Sequence, residues 1–387
     1  MLGCTISEAQ AECYGHRVVD SALEAMSDGD AAHLIPYVDW TIETDMSVVL
    51  PGSMERQRYM NEYRWYSVEI ISPALWPTDA SWEEIHAVVR AIAEKYWIVT
   101  PPTAGLHYHY GNGKEYIPFH SLRRMAAFLV AVDPLMAQLH PPHRRTEELC
   151  LSNRLYARVA HGTTAEEVSE EIGVAEDVEA APELPSLAYQ PQPVARPSCE
   201  RSPGFTVPFA RGQLAGYPRF DARWFRGSGF ASDRGRAAAP VAVADAARQV
   251  LRCTSAPAVA ELMKYSEGFH RPAYNFQNYR KGVYRNPELV RDPKRTVEFR
   301  QMAATMDADE VVAHGRVVVR LCEFAARAGL DALWRLVLDC GAAERRGDWF
   351  DVFDLLAALG LEAEADVLQR SVAQFQGQEA LSGCVWG

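Results

Sequence analysis

An α+β fold is what this sequence predicts, and three observations carry the prediction. Segments with the two-residue alternation of strands lie in the first 111 residues and again between 274 and 301. The stretch 308–375 keeps helical spacing almost throughout, and strands and helices never settle into the regular βαβ alternation of a parallel sheet. At 387 residues and 48% hydrophobic content the chain can bury a large core.

Taken in order, residues 6–27 read as a helix and 38–48 as a strand in which Glu43, Asp45 and Ser47 share a face. A second strand, 64–75, is stopped by Pro73, which removes a ladder donor, and it carries Glu69 among apolar neighbours. A carboxylate there needs either a solvated face or a cationic or metallic partner. A helix follows over 81–96, with Ser81 and Glu84 spaced as a capping box. The strand Gly105-Leu106-His107-Tyr108-His109-Tyr110-Gly111 comes next, and alternation sends both of its imidazoles to one face. Leu122, Met125, Ala126, Leu129, Val132 and Leu135 mark an apolar helix over 121–139, and a further helix is expected near 146–159. Helices are then predicted at 241–267, strands at 274–278 and 295–301, and a helical C-terminal part. In the last strand Glu298 and Arg300 share one face while Val297 and Phe299 take the other.

The organisation expected from these signals is one folded domain in two pieces, 1–164 and 241–387, split by a disordered insertion over 165–240. That insertion is acid-rich at first, and its part from 181 to 240 holds nine Pro and six Gly without sustained periodicity. Its eight Arg between 196 and 236 interleave with aromatic residues, a composition that common loops also show. The net charge of −12 and pI near 5.5 argue against a nucleic-acid binder, which needs clustered Lys and Arg. Eight cysteines without a CxxC pair support neither a zinc module nor a disulfide framework. The most apolar run, 125–136, is broken by Asp133 and Pro134 short of a membrane span, so a cytoplasmic protein with no membrane partner is expected.

No GxGxxG or GxxxxGK[ST] loop is present, so a bound nucleotide must be held by side chains and metal. Carboxylates such as Glu69 and Glu298 with one imidazole suit Mg²⁺ or Mn²⁺, and an arginine such as Arg300 can neutralise charge developing on a transferred phosphoryl group. The bland alternatives are a satisfied imidazole face for His107 and His109, a solvated ion pair for Glu298 and Arg300, and a surface carboxylate for Glu69. A metal-dependent hydrolase using the two histidines and a carboxylate to hold Zn²⁺ is a competing chemistry.

Val68-Glu69-Ile70-Ile71-Ser72-Pro73, the GLHYHYG strand, Tyr274-Asn275-Phe276 and Thr296-Val297-Glu298-Phe299-Arg300 together resemble the amidoligase family found widely in fungi. Trp40 to Ser47 and Pro141-Pro142-His143-Arg144-Arg145 running on to Cys150 fit the same pattern, so the resemblance touches about 38–160 and 255–370. It implies a mainly antiparallel sheet of the glutamine synthetase-like ligase type with packing helices, using ATP and Mg²⁺ (or Mn²⁺) to join a carboxylate substrate to an amine through an acyl-phosphate.

By motif position the resemblance makes Glu69, His107 and Glu298 metal ligands, and His109 a contact to nucleotide phosphate. Arg300 becomes the stabiliser of phosphoryl charge, with Glu298 counted beside it in the catalytic set. Relatives usually open on a strand carrying Glu-x-Glu, for which no match exists before Trp40. The expectation is therefore a chain shortened at its N-terminus or impaired in catalysis, with an exposed sheet edge that favours a homo-oligomer. A nonenzymatic interaction protein on a degenerate ligase fold is the remaining alternative.

Overall fold

A computed structural model describes residues 2–7, 40–49, 65–141, 143–144, 150–173, 240–265, 271–284, 294–345 and 350–383. It is mixed helix and sheet with antiparallel pairing, and it divides into two compact units, 1–108 with 301–316 and 109–300 with 317–387. The division falls inside two strands rather than at the predicted insertion, of which residues 174–239 lie outside those described.

The first unit is built on β1 (Leu2–Ser7), β2 (Thr41–Thr44), β3 (Trp65–Ile71) and the start of β4 (Gly105–Gly111). They stand in the order β2-β3-β1-β4. β1 pairs antiparallel with β3 from Leu2 opposite Ile70 to Ser7 opposite Trp65, and meets β4 with Leu2 opposite Leu106. This corrects the expected helix over 6–27 at its residues 6 and 7, the remainder lying outside the described residues, and it corrects the expectation of a missing first strand, since the place between β3 and β4 is filled. β1 reads Leu-Gly-Cys-Thr-Ile-Ser, so the acidic pair is absent while the strand is present. The outer strand of this unit is the four-residue β2.

β2 is shorter than predicted for a local reason: Asp45 Oδ1 accepts from the Ser47 amide at 2.8 Å and its hydroxyl at 2.7 Å, an Asx turn that ends the strand. Asp45 and Ser47 therefore do not share a strand face with Glu43. α1 (Asp79–Lys95) starts two residues earlier than its Ser81/Glu84 pattern suggested, because Thr78 is the N-cap and accepts from the Ser81 amide. Ile70 and Leu106 are buried on one side of the strands. The first residues of α7 (Ala308–Arg327) lie in the same unit, with the Tyr108 hydroxyl donating to the Val311 carbonyl. Gly315 allows a close approach there: a Cβ on it would sit 2.7 Å from Cζ3 of Trp82 and 3.1 Å from Cε1 of Tyr108.

The second unit is organised by α2 (Phe119–Met136). Leu122, Ala126, Phe128, Leu129, Val130 and Val132 are all at most 1% exposed, so the helix is buried on every side, as an all-round apolar helix must be. It packs against α5 (Val243–Arg252), α6 (Ala256–Met263), α8 (Leu330–Arg345) and α9 (Val352–Ala358). Asp133, wholly buried near its end, accepts from the Ser152 hydroxyl at 2.5 Å and the Arg154 amide at 2.8 Å, fixing the start of α3 (Asn153–Tyr156). Of the helix predicted near 146–159, residues 146–149 lie outside those described, and the described part is helical only over Asn153–Tyr156, with a 3₁₀ turn after it. α4 (Ala165–Ile172) takes the first residues assigned to the insertion. A capping box between Thr164 and Glu167 starts it, Gly173 at φ 70° stops it, and Ala165, Val168 and Ile172 bury its inner side. A mobile acidic reading failed there because the apolar residues recur at helical spacing among the glutamates. α10 (Glu362–Gly383) completes the helical C-terminal part.

Candidate active site

The chemistry-bearing strand of the second unit is β6 (Thr296–Ala303), whose residues up to Arg300 lie in this unit beside β5 (Tyr274–Asn275). Tyr274 stands opposite Phe299 and Asn275 opposite Glu298 in antiparallel register. Val297 and Phe299 are 0% and 2% exposed, and Phe299 meets the Tyr274 ring edge-on at 5.3 Å. Glu298 and Arg300 on the other face are also buried, at 5% and 4% exposure, so the pair is not a solvated surface contact.

Two hydrogen bonds hold Glu298. Its Oε1 accepts from Arg300 Nη1, and its Oε2 accepts from the Asn275 amide at 2.8 Å. Asn275 can present only its NH₂ there, because its carbonyl oxygen is taken by the Gln277 amide at 3.0 Å. The backbone of β6 is anchored by Asn278 Nδ2 on the Thr296 carbonyl at 3.1 Å and the Tyr279 hydroxyl on the Arg295 carbonyl, also 3.1 Å. Arg300 itself donates its amide to the Ala273 carbonyl at 2.8 Å and receives Arg144 Nη2 on its carbonyl at 2.7 Å.

His109 lies beside this pair, with Nδ1 2.9 Å from the Thr296 hydroxyl and Nε2 3.9 Å from Glu298 Oε1. Burial drives its pKa down to about 3, against the pull of Glu298 and helped by Lys294 and Arg300. The imidazole is therefore neutral at ordinary pH, and the 3.9 Å approach to Glu298 is not an ion pair. Burial alone would raise the Glu298 carboxyl; Arg300, the Asn275 hydrogen bond and Arg271 outweigh it and hold the group below its ordinary value. Burial lowers the Arg300 pKa, with Arg271 and Arg144 adding to that and Glu298 opposing it. The guanidinium stays charged at any relevant pH. Close approach of the strands rests on Gly111, where a Cβ would lie 2.9 Å from Cγ2 of Thr296.

The structure thus brings together His109, Glu298 and Arg300 of the residues predicted from sequence. Glu69 and His107 belong to the first unit. There Glu69 stands opposite Glu43 across the β2–β3 pair, so two carboxylates face each other across strands where the expected Glu-x-Glu would have placed them along one. Like charges so placed repel unless solvent or a cation lies between them. Among the described residues no group of three or more His, Cys, Asp or Glu converges to hold a metal. Sequence reasoning gave no role to Asn275, Thr296, Arg144 or Arg271. The first three sit inside motifs it quoted, but their contacts come from strand register and from residues over a hundred positions apart, which no local spacing encodes.

Residues 3–161 match the family model Amidoligase_2, described as "Putative amidoligase enzyme". The match reaches the N-terminal strand that the resemblance had left out, runs through β4 and α2, and stops before β5 and β6. No curated protein and no solved structure matches the chain. Among the described residues no helix is long and apolar enough to cross a membrane.

Proposed function

We propose that this chain is an ATP- and Mg²⁺-dependent carboxylate–amine ligase, forming an amide through an acyl-phosphate. The observation that carries the reading is the buried Glu298–Arg300 pair beside the neutral imidazole of His109. The match of residues 3–161 to an amidoligase model supports it. In such a reaction a carboxylate oxygen of the substrate attacks the γ-phosphorus of ATP and the bond to ADP breaks. The amine nitrogen then attacks the acyl carbon, the carbon–oxygen bond breaks, phosphate leaves, and the amine proton passes to solvent.

The chain's own groups suit these demands. Arg300, already held in place by Glu298, offers fixed positive charge to a phosphoryl group without reorganising during transfer. A neutral His109 can give a phosphate oxygen one hydrogen bond while carrying no charge of its own. Metal-ligand roles at Glu69, His107 and Glu298 belong to the same proposal. The oxygen donors of Glu69 and Glu43, opposite each other across β2 and β3, fit a hard cation that keeps several waters. When bound, Mg²⁺ or Mn²⁺ would neutralise phosphate charge. Neither the zinc hydrolase nor the interaction protein has an observation of this kind behind it.

Hydroxylamine tests the reading because it captures an acyl-phosphate as a hydroxamate. With ATP, Mg²⁺ and a panel of amino acids, peptides and dicarboxylic acids, hydroxamate should form in amounts equal to ADP, and Arg300→Ala should lose both. ATP turnover without hydroxamate or amide on any acid would overturn it.

A further inference from the structure

Glu298 and Arg300 lie in the field of further guanidinium groups: Arg271 acts on both of them, and Arg144 acts on Arg300. Two of these three arginines are committed: Arg300 to Glu298 and Arg144 to the Arg300 carbonyl, both side chains buried.

Arg271 differs from them. The chain entering β5 is held by the Ala273 amide on the Leu151 carbonyl at 2.7 Å, by the Pro272–Leu151 bridge, and by the Arg300 amide on Ala273. That path delivers Arg271 next to Arg300 while leaving it exposed. Among the described residues no carboxylate forms an ion pair with it. An arginine whose following residues are held at their backbone, open to solvent and without an ion pair among the described residues, beside the buried Glu298–Arg300 pair, suits an anion, since the guanidinium fork matches the planar pair of oxygens on a carboxylate or phosphate.

We propose that Arg271 is the docking residue for an oxyanion of the substrate, a carboxylate or a phosphate group, presented to the Glu298–Arg300 pair. The inference rests on the ligase reading only in calling that oxyanion part of the substrate. Arg144 plays the positioning part, by fixing the backbone of Arg300.

Calorimetric titrations of the full chain at low ionic strength test it with two probes, glutarate and inorganic phosphate, against the native protein, Arg271→Gln and Arg271→Lys. At least one probe should bind the native chain and bind Arg271→Gln about tenfold or more weakly, with Arg271→Lys between, because a point charge replaces a fork. A loss confined to glutarate, with ATP affinity unchanged, assigns a substrate carboxylate. Loss of phosphate and ATP affinity together assigns a phosphate. Equal affinity of the native and Arg271→Gln proteins for both probes, or no binding of either probe to the native chain, overturns the inference. An Arg271-dependent probe with no ATP binding keeps the anion site and removes the ligase reading instead.

Discussion

Replacing Glu298 with glutamine removes the carboxylate beside a 4% exposed arginine and leaves the rest of the strand intact. Both carboxylate oxygens are in use, Oε1 by Arg300 and Oε2 by Asn275. A glutamine keeps one acceptor oxygen and turns an NH₂ toward a second donor, so either Arg300 or Asn275 loses its partner. Arg144 and Arg271 add positive charge, and Glu298 is the carboxylate that works against them at Arg300. Breaking a buried ion pair from one side costs about 3–5 kcal/mol, and some of that is recovered because the glutamine oxygen still accepts one hydrogen bond, so we expect a loss of about 3 kcal/mol. Urea unfolding followed by circular dichroism measures it. The double change Glu298→Gln with Arg300→Met should recover most of the loss, since the orphaned charge goes with its partner. A single-variant loss below about 1 kcal/mol, or no recovery in the double variant, would refute the argument that this pair is a desolvated and mutually dependent unit.

Three further outcomes follow from the same structure. Gly315→Ala places a methyl against Trp82 and Tyr108 and should cost about 1–3 kcal/mol in unfolding free energy, whereas an unchanged midpoint would mean the Trp82 ring shifts freely. Asp133→Ala strips the acceptor from the Ser152 hydroxyl and the Arg154 amide and should lose about 3 kcal/mol by the same assay, while a loss under about 1 kcal/mol would show that water replaces the carboxylate. His109 has a folded pKa of about 3, below its unfolded value, so the unfolded chain binds more protons and stability falls as pH drops through that window. Relative to His109→Gln, the native protein should lose about 1.4 kcal/mol per pH unit below pH 6, and a pH-independent difference would show that the imidazole is accessible to protons in the fold.

What could be read from the sequence was whatever depends on local spacing. The period-two alternation of GLHYHYG and of TVEFR located β4 and β6, and the unbroken apolar surface of α2 announced a helix at the centre of a core. Alternation assigns a residue to a face but does not say whether that face is covered, so the burial of Glu298 and Arg300 was open until β5 and Arg144 were in place. β1 escaped because six residues with glycine and cysteine among them carry little strand signal, and its stability comes from β3 and β4 on either side. Around Thr78 two capping patterns overlap, and the choice of Thr78 over Ser81 depends on the path of the chain leaving β3. Arg271 gave no signal at all, since its place beside Arg300 is made by contacts from Leu151 and Ala273.

The central claim is that the face formed by His109, Glu298 and Arg300 receives the phosphates of ATP. Calorimetric titration of the full chain with ATP at saturating Mg²⁺, run beside His109→Gln and Arg300→Ala, tests it most directly. The account predicts saturable binding by the native chain that weakens in both variants. An absence of binding by the native chain, or an affinity that both variants leave unchanged, would contradict it.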